Sequence, residues 1–267
     1  MRFRKIFNLS LWLLFMAAFF VLAGFVGTEK HKLVCQGLVI SLEQTDGHGF
    51  LSREEISTTI AQLLGDSVRG RPMKEISIRM IRERLQENHY VSKAIVFATV
   101  DGFIHVEISQ RTPVIRVHNL HGEQFYISGD GRMIPISGRY TARVIPVNGM
   151  ISERFDPSRD LVPVPDEQGE IDGRITTLQK IFLLAINLQK DPFLNAQVEQ
   201  VYVGGQGDFE LIPLLGNHRI LMGNADDIPG KLARLKTFYL EAMNRKGWDA
   251  YKTVNIQFRN QVICSNN

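Results

Sequence analysis

From Leu9 to Val26 the chain reads LSLWLLFMAAFFVLAGFV, eighteen residues without a charge and only Ser10 and Gly24 outside the strongly apolar set. At about 1.5 Å of rise per residue this run covers roughly 27 Å, close to the ~30 Å hydrocarbon core of a bilayer. A secretory signal would carry a shorter apolar stretch ending in a small-x-small cleavage site, and this run leaves through Gly24-Phe25-Val26-Gly27 instead. The expectation is a retained transmembrane helix over 9–28. Arg2, Arg4 and Lys5 precede it with no acid among them, while Lys30 and Lys32 follow beside Glu29. That asymmetry places residues 1–8 in the cytoplasm and the bulk of the chain on the outer side of the membrane.

The net charge of +3 belongs to this tail, because removing its three bases from the 31 leaves 28 against 28 acids. A nucleic-acid reading therefore lacks the basic excess it needs. With 44% hydrophobic and 22% charged residues, the chain has globular composition, and its 267 residues allow one large domain or two of ordinary size.

Beyond the anchor, Leu33 to Ile40 is a short apolar run with a β-branched share that predicts a strand. Ser52-Arg53-Glu54-Glu55 is a capping box, and Ile56, Ile60, Leu63 and Leu64 form the stripe of the helix it opens, with Gly65 ending it. A second helix starts near Lys74 or Ser77 on Ile78, Ile81 and Leu85 and stops around Asn88. Val91 to Thr99 and Phe103 to Ser109 predict two strands joined through Asp101-Gly102, the pair that supplies positive φ in a tight hairpin. The order β-α-α-β-β makes a small sheet with both helices on one side.

From Pro113 the pattern turns mainly β: Val114 to Val117, Glu123 to Ile127, a turn at Ser128 to Gly131, Met133 to Ile136, and Ala142 to Val147. Residues 148–174, with Pro157, Pro163 and Pro165, predict a mobile loop. An amphipathic helix follows over Ile175 to Lys190 on Leu178, Phe182, Ala185 and Leu188, closed by Pro192. Strands at Val198 to Val203, Phe209 to Pro213 and Arg219 to Met222 precede a helix capped by Asp226 or Asp227. Pro229 fits its first turn, Leu232, Leu235, Tyr239 and Ala242 its stripe, and Gly247 its end. One last strand is expected from Thr253 to Cys264.

Reactive groups are sparse. His118 and His121 are the only close histidines, and no third or fourth zinc ligand joins them. Gly204-Gly205-Gln206-Gly207 lies between two strands without the Lys-Ser/Thr of a phosphate loop, so it reads as a hairpin turn. Cys35 and Cys264 sit near opposite ends and are expected to be unpaired, half-buried strand cysteines. The sharpest enzymatic alternative is a membrane-tethered cell-wall enzyme such as a thiol transpeptidase with Cys264 as nucleophile. Only Ser265, Asn266 and Asn267 follow that cysteine, which leaves nothing downstream to build an oxyanion site. No catalytic residue, cofactor or metal is expected.

A basic tail, one span, a β-α-α-β-β module and a larger β-rich domain, in that order, resemble the FtsQ/DivIB family of bacterial cell-division proteins. Arg111-Thr112-Pro113-Val114-Ile115-Arg116-Val117 resembles the family's junction between its POTRA module and its β domain. Ser128-Gly129-Asp130-Gly131-Arg132-Met133-Ile134-Pro135 resembles the hairpin after that junction. Leu221-Met222-Gly223 with Lys231-Leu232-Ala233-Arg234-Leu235 is similar to its late strand, glycine and helix. Val254 to Val262 resembles its terminal strand, with Asn255 where an acid is common and Gln257 where a base is.

The resemblance implies an α+β chain: an N-terminal transmembrane helix, a POTRA-type module over 33–110, then a β-rich domain with packed helices over 111–267. It also implies a non-enzymatic scaffold at the septum of the inner membrane. Such a scaffold recruits FtsB-like and FtsL-like single-span coiled-coil proteins and through them helps control the septal peptidoglycan synthase. A C-terminal strand paired on one side only can take up a partner's extended segment by β-augmentation. On that view Gln257, Phe258, Arg259 and Asn260 carry the partner contact, with Arg219 on a neighbouring strand; Phe258 reads equally as a core residue, because alternate positions of a half-buried strand include core. An outer-membrane assembly factor, the other POTRA-bearing class, would need several such modules and a β-barrel.

Overall fold

The computed structural model describes residues 12–21, 33–43, 49–65, 67–164 and 175–266. By its internal contacts the chain divides into two compact units, Met1–Gln110 and Arg111–Asn267. In the first, residues 12–21 are helical (α1). No helix among the described residues is long and apolar enough to cross a membrane. The expected span over 9–28 lies in large part outside the described residues.

The rest of the first unit is built as β1 (Gly37–Glu43), α2 (Arg53–Leu64), a 3₁₀ turn at Met73–Glu75, α3 (Ile78–Gln86), β2 (Val91–Ala98) and β3 (Phe103–Gln110). Its sheet has the order β1-β3-β2, with β1 parallel and β2 antiparallel to the central strand. The capping box forms in full: the Glu55 amide donates to Ser52 Oγ at 3.2 Å and the Ser52 amide to Glu55 Oε2 at 2.8 Å. Gly65 ends α2 in the left-handed region, at φ 76°, and Ser77 caps α3. Alternation decides the faces. Ile104, Val106 and Ile108 of β3, with Ala94 and Val96 of β2, bury against Ile56, Ile60, Ile81 and Leu85, while Glu107 stays exposed.

Two expectations shift here. The first strand begins at Gly37, not Leu33, because residues 33–35 run instead beside the 70–73 segment, with Cys35 N donating to Arg71 O at 2.8 Å. Cys35 is therefore fully buried and outside any strand. At the β2–β3 hairpin only Gly102 takes positive φ, at 87°; the turn closes over Thr99–Gly102 rather than over two residues.

The second unit comprises β4 (Pro113–His118), β5 (Gln124–Ser128), β6 (Met133–Pro135), β7 (Ile145–Gly149), α4 (Thr177–Gln189), α5 (Pro192–Gln197), β8 (Val198–Val203), β9 (Phe209–Pro213), β10 (Arg219–Gly223), α6 (Ile228–Phe238), a π-helical turn at Tyr239–Met243, α7 (Asn244–Lys246), β11 (Thr253–Asn255) and β12 (Ile263–Ser265). Nine strands make one mixed sheet in the order β12-β11-β10-β9-β8-β7-β4-β5-β6. The parallel pairs β7·β8 and β10·β11 require crossovers, and these supply α4–α5 and α6–α7. Leu178, Leu188, Leu194, Leu232 and Leu235 of the helices share one core with Ile115, Val147, Val201, Leu211, Ile220 and Val254 of the sheet. The two stretches compared above as junction and hairpin meet here: Gly129 N donates to Thr112 O at 3.0 Å and Arg111 pairs with Asp130.

Several local expectations are corrected. Proline 192 does not merely close α4; it occupies the first turn of α5, whose N-cap is Asp191. The wide π turn after α6 buries Met243 and leaves Ala242 half-buried. Ala142 lies outside β7, its amide donating to the Tyr126 hydroxyl at 3.2 Å. The residues from Met150 to Val164 are held in place rather than loose: Ile151 and Leu161 are fully buried, and Leu161 N donates to Gly131 O at 2.9 Å. Residues 165–174 lie outside the described ones.

The largest correction concerns the C-terminus. Thr253 to Cys264 is not one strand but two short ones, β11 and β12, folded on each other antiparallel. The Gln257 amide turns back onto Asn255 Oδ1 at 3.0 Å, and Asn260 adopts φ 62°. Both departures end the extended run, for the reason that asparagine side chains compete with ladder bonds and tolerate the left-handed region.

Candidate functional site

The end of the sheet is assembled by three strands. β10 holds β11 in parallel through Arg219 opposite Thr253, Ile220 opposite Val254 and Leu221 opposite Asn255. β12 then covers the other flank of β11 through Ser265, Cys264 and Ile263. β11 is thus paired on both sides by its own chain, against the expectation of an open terminal ribbon there. Among the described residues, the outermost strand at this end of the sheet is β12, three residues long.

The 256–262 turn beside it starts from a fixed point. Ile256 is buried, and its amide donates to Leu221 O at 3.0 Å. Arg234 of α6 donates to the Ile256 carbonyl at 3.4 Å and pairs with Asp227 at 3.5 Å, tying the turn to the N-terminus of the helix. The β10–α6 connection is itself clamped by Lys231, a side chain only 3% exposed, which donates to Asn224 O at 3.0 Å and Asn224 Oδ1 at 2.8 Å and pairs with Asp226. A buried ammonium is stable only with such a set of partners.

From that base the turn projects Gln257, Phe258, Arg259 and Asn260 outward, all exposed, with Phe258 at 45%. These four expected contact residues come together in one turn, not along a strand. Phe258 is not core. Arg219 does not join them: it stands at the opposite end of the β10–β11 ladder, exposed, 3.4 Å from Glu210. Ile263, at 45% exposure on the outer strand, was missed, although it is the last β-branched residue of the chain. Gly223, at φ 71°, was also missed as a contact of the turn: a Cβ there would stand 2.7 Å from Gln257 Cγ.

The chemistry of the remaining candidates is plain. Burial pushes the Cys264 thiol up, which keeps it protonated and a poor nucleophile. His121 Nε2 lies 3.0 Å from the Ser152 carbonyl, and His118 is pushed down by burial and by Arg116. No group of three or more potential metal ligands occurs among the described residues. Gly204 to Gly207 forms the β8–β9 turn, with Gly204 N donating to Asp208 O at 2.8 Å.

Residues 112–265 match the family model described as FtsQ/DivIB, C-terminal related, and residues 33–109 match that of a POTRA-like domain. No curated protein matches the chain. The gap between the two matches falls where the chain divides into its two units. The first of these matches spans more than half of the chain, and the second accounts for most of what precedes it: this protein belongs to the FtsQ/DivIB family.

Proposed function

We propose that this member of a family of division-related scaffolds is non-enzymatic and bitopic. Residues 9–28 anchor it in the inner membrane at the septum, with 1–8 in the cytoplasm, and its β12 edge takes up an extended segment of FtsB-like or FtsL-like single-span coiled-coil proteins. Through them it helps control septal peptidoglycan synthesis. The observation that carries this reading is that β12 ends a nine-stranded sheet beside a turn presenting Phe258. The exposed apolar side chains of residues 12–21 support the anchor.

Magnitudes shape the contact. A three-residue edge offers two or three main-chain bonds, each worth about 1 kcal/mol net. Association costs about 4 kcal/mol or more before any surplus appears. Backbone pairing alone therefore falls short, and Phe258 and Ile263 must add apolar burial, up to about 1.5–3 kcal/mol each. The edge supplies direction and register; the two side chains supply affinity.

Co-purification from detergent-solubilised membranes tests this. Adjacent amides of a strand point to opposite sides, so one of Ile263→Pro and Cys264→Pro removes an outward donor. At least one of these variants, and Phe258→Asp, is expected to lose the small partners while staying membrane-bound and folded by circular dichroism. Retention of the partners at wild-type yield by all three overturns the reading.

A further inference from the structure

One pole of the POTRA-like unit combines features that the partner-binding edge does not use. The entering chain and the β2–β3 hairpin tip meet there. Gln36 N donates to Gly102 O at 2.8 Å, and Gly102 approaches so closely that a Cβ would stand 2.8 Å from Val34 O. The 69–73 segment is laced to the same stretch: Cys35 N donates to Arg71 O at 2.8 Å, Gly70 N to Cys35 O at 2.7 Å, and Met73 N to Leu33 O at 2.9 Å. Three pieces of chain are thereby fixed side by side.

What this pole presents is apolar at the tip and basic at the rim. Val100 is 93% exposed, with Val34 at 41% and Leu33 at 39%. Arg69 and Lys74 are exposed and Arg71 half-exposed. Among the described residues, the acids of the pole are Glu75 and Asp101, and the Asp101 carboxylate is engaged by the Thr99 hydroxyl. A valine left almost wholly in water on a rigid tip costs solubility unless something shields it.

We infer that this pole rests on the surface of the bilayer from which the chain emerges, Val100, Val34 and Leu33 entering the interfacial layer and Arg69, Arg71 and Lys74 pairing with anionic phospholipid headgroups. The inference rests on the membrane anchor proposed above. Seven residue steps separate Val26, the last of the apolar run, from Leu33, a reach of at most about 25 Å. A tether that short holds the pole at high effective concentration over the lipid, so weak insertion suffices. Three apolar side chains are too few for a protein interface of standard size, whereas lipid requires no shape complementarity. Basic residues at the rim suit an anionic surface.

The test uses the full chain, with Cys264→Ser, in proteoliposomes of phosphatidylethanolamine and phosphatidylglycerol. A fluorophore is attached at Val100→Cys or, as reference, at His89→Cys, an exposed position beyond the other end of β2, roughly 25 Å away. Nitroxide-labelled lipid is expected to quench the probe at 100 at least threefold more than the probe at 89. Arg69→Glu with Arg71→Glu should reduce that excess by half or more. Equal quenching at both positions, in protein that resists alkaline carbonate extraction, overturns this inference alone. Extraction by carbonate overturns it together with the anchor. Excess quenching that appears only in native membranes, and not in purified lipid, assigns the pole to a protein partner and also overturns it.

Discussion

Val254 faces Cys264 across the antiparallel pair that closes the nine-stranded sheet, and faces Ile220 on its other side. That double pairing moves the available edge outward by one strand. In the proposed binding mode this makes the last three residues of the ladder, not β11, the place where another backbone would add. Because such an edge is short, the proposed binding mode requires the neighbouring turn to carry much of the affinity.

The β7–β8 register depends on one glycine. Gly149 pairs with Val203 at φ 111°, and a Cβ there would stand 2.2 Å from the Val203 carbonyl oxygen. Gly149→Ala combines a backbone clash with a disfavoured φ and is expected to cost at least about 3 kcal/mol. Gly65→Ala, at φ 76° in open space, should cost only about 1–2 kcal/mol. Urea unfolding of the two variants measures the difference.

Asn119 fastens the strap that the sequence pattern presents as a loose loop. Buried, it accepts from the His121 and Glu123 amides at 3.1 and 2.9 Å and donates to Glu123 Oε2 at 2.7 Å and the Glu153 carbonyl at 3.0 Å. Asn119→Ala leaves several of these groups without a partner, at a cost of about 2–3 kcal/mol. Limited proteolysis within 150–164 should be slow in the wild type and at least several-fold faster in the variant.

Burial pushes His218 below the ordinary histidine range, with the Trp248 carbonyl and Asp249 pulling weakly the other way. Its Nε2 lies 2.9 Å from the Tyr239 hydroxyl, which burial keeps protonated. The folded state thus binds fewer protons at this site than the unfolded chain. Its contribution to stability is complete above about pH 6.5, the unfolded value, and is lost as the pH falls from there through the lowered folded value. Chemical denaturation between pH 7.5 and 5 should show that decline, and His218→Gln should flatten part of it.

Much of this architecture was legible because local chemistry and tertiary packing agree. Ser52 and Glu55 cap α2, Gly102 turns the hairpin, and alternation along 103–110 sets its faces. The C-terminus was misread for an equally physical reason. Val254, Ile256, Phe258, Val262 and Cys264 all fall on even positions, the spacing of one strand, yet Asn255 and Asn260 impose turns inside it. Local hydrogen bonding outweighed a period of two. The strap was misread because the partners that fix it, Asn119 and Gly131, are distant in sequence. For the candidate site, the expected contact residues Gln257 to Asn260 share one turn whose shape the spacing did not give, Arg219 stands apart from them, and Ile263 was hidden by the expected continuous strand.

Amide hydrogen exchange of the full chain, in detergent micelles with and without a co-expressed FtsB-like partner, tests the edge most directly. Exchange over Ile263–Ser265 and the 257–262 turn is expected to slow in the complex, with β2 unchanged. Unaltered exchange over Ile263–Ser265, with new protection at β2 or elsewhere in the POTRA-like unit, would contradict it.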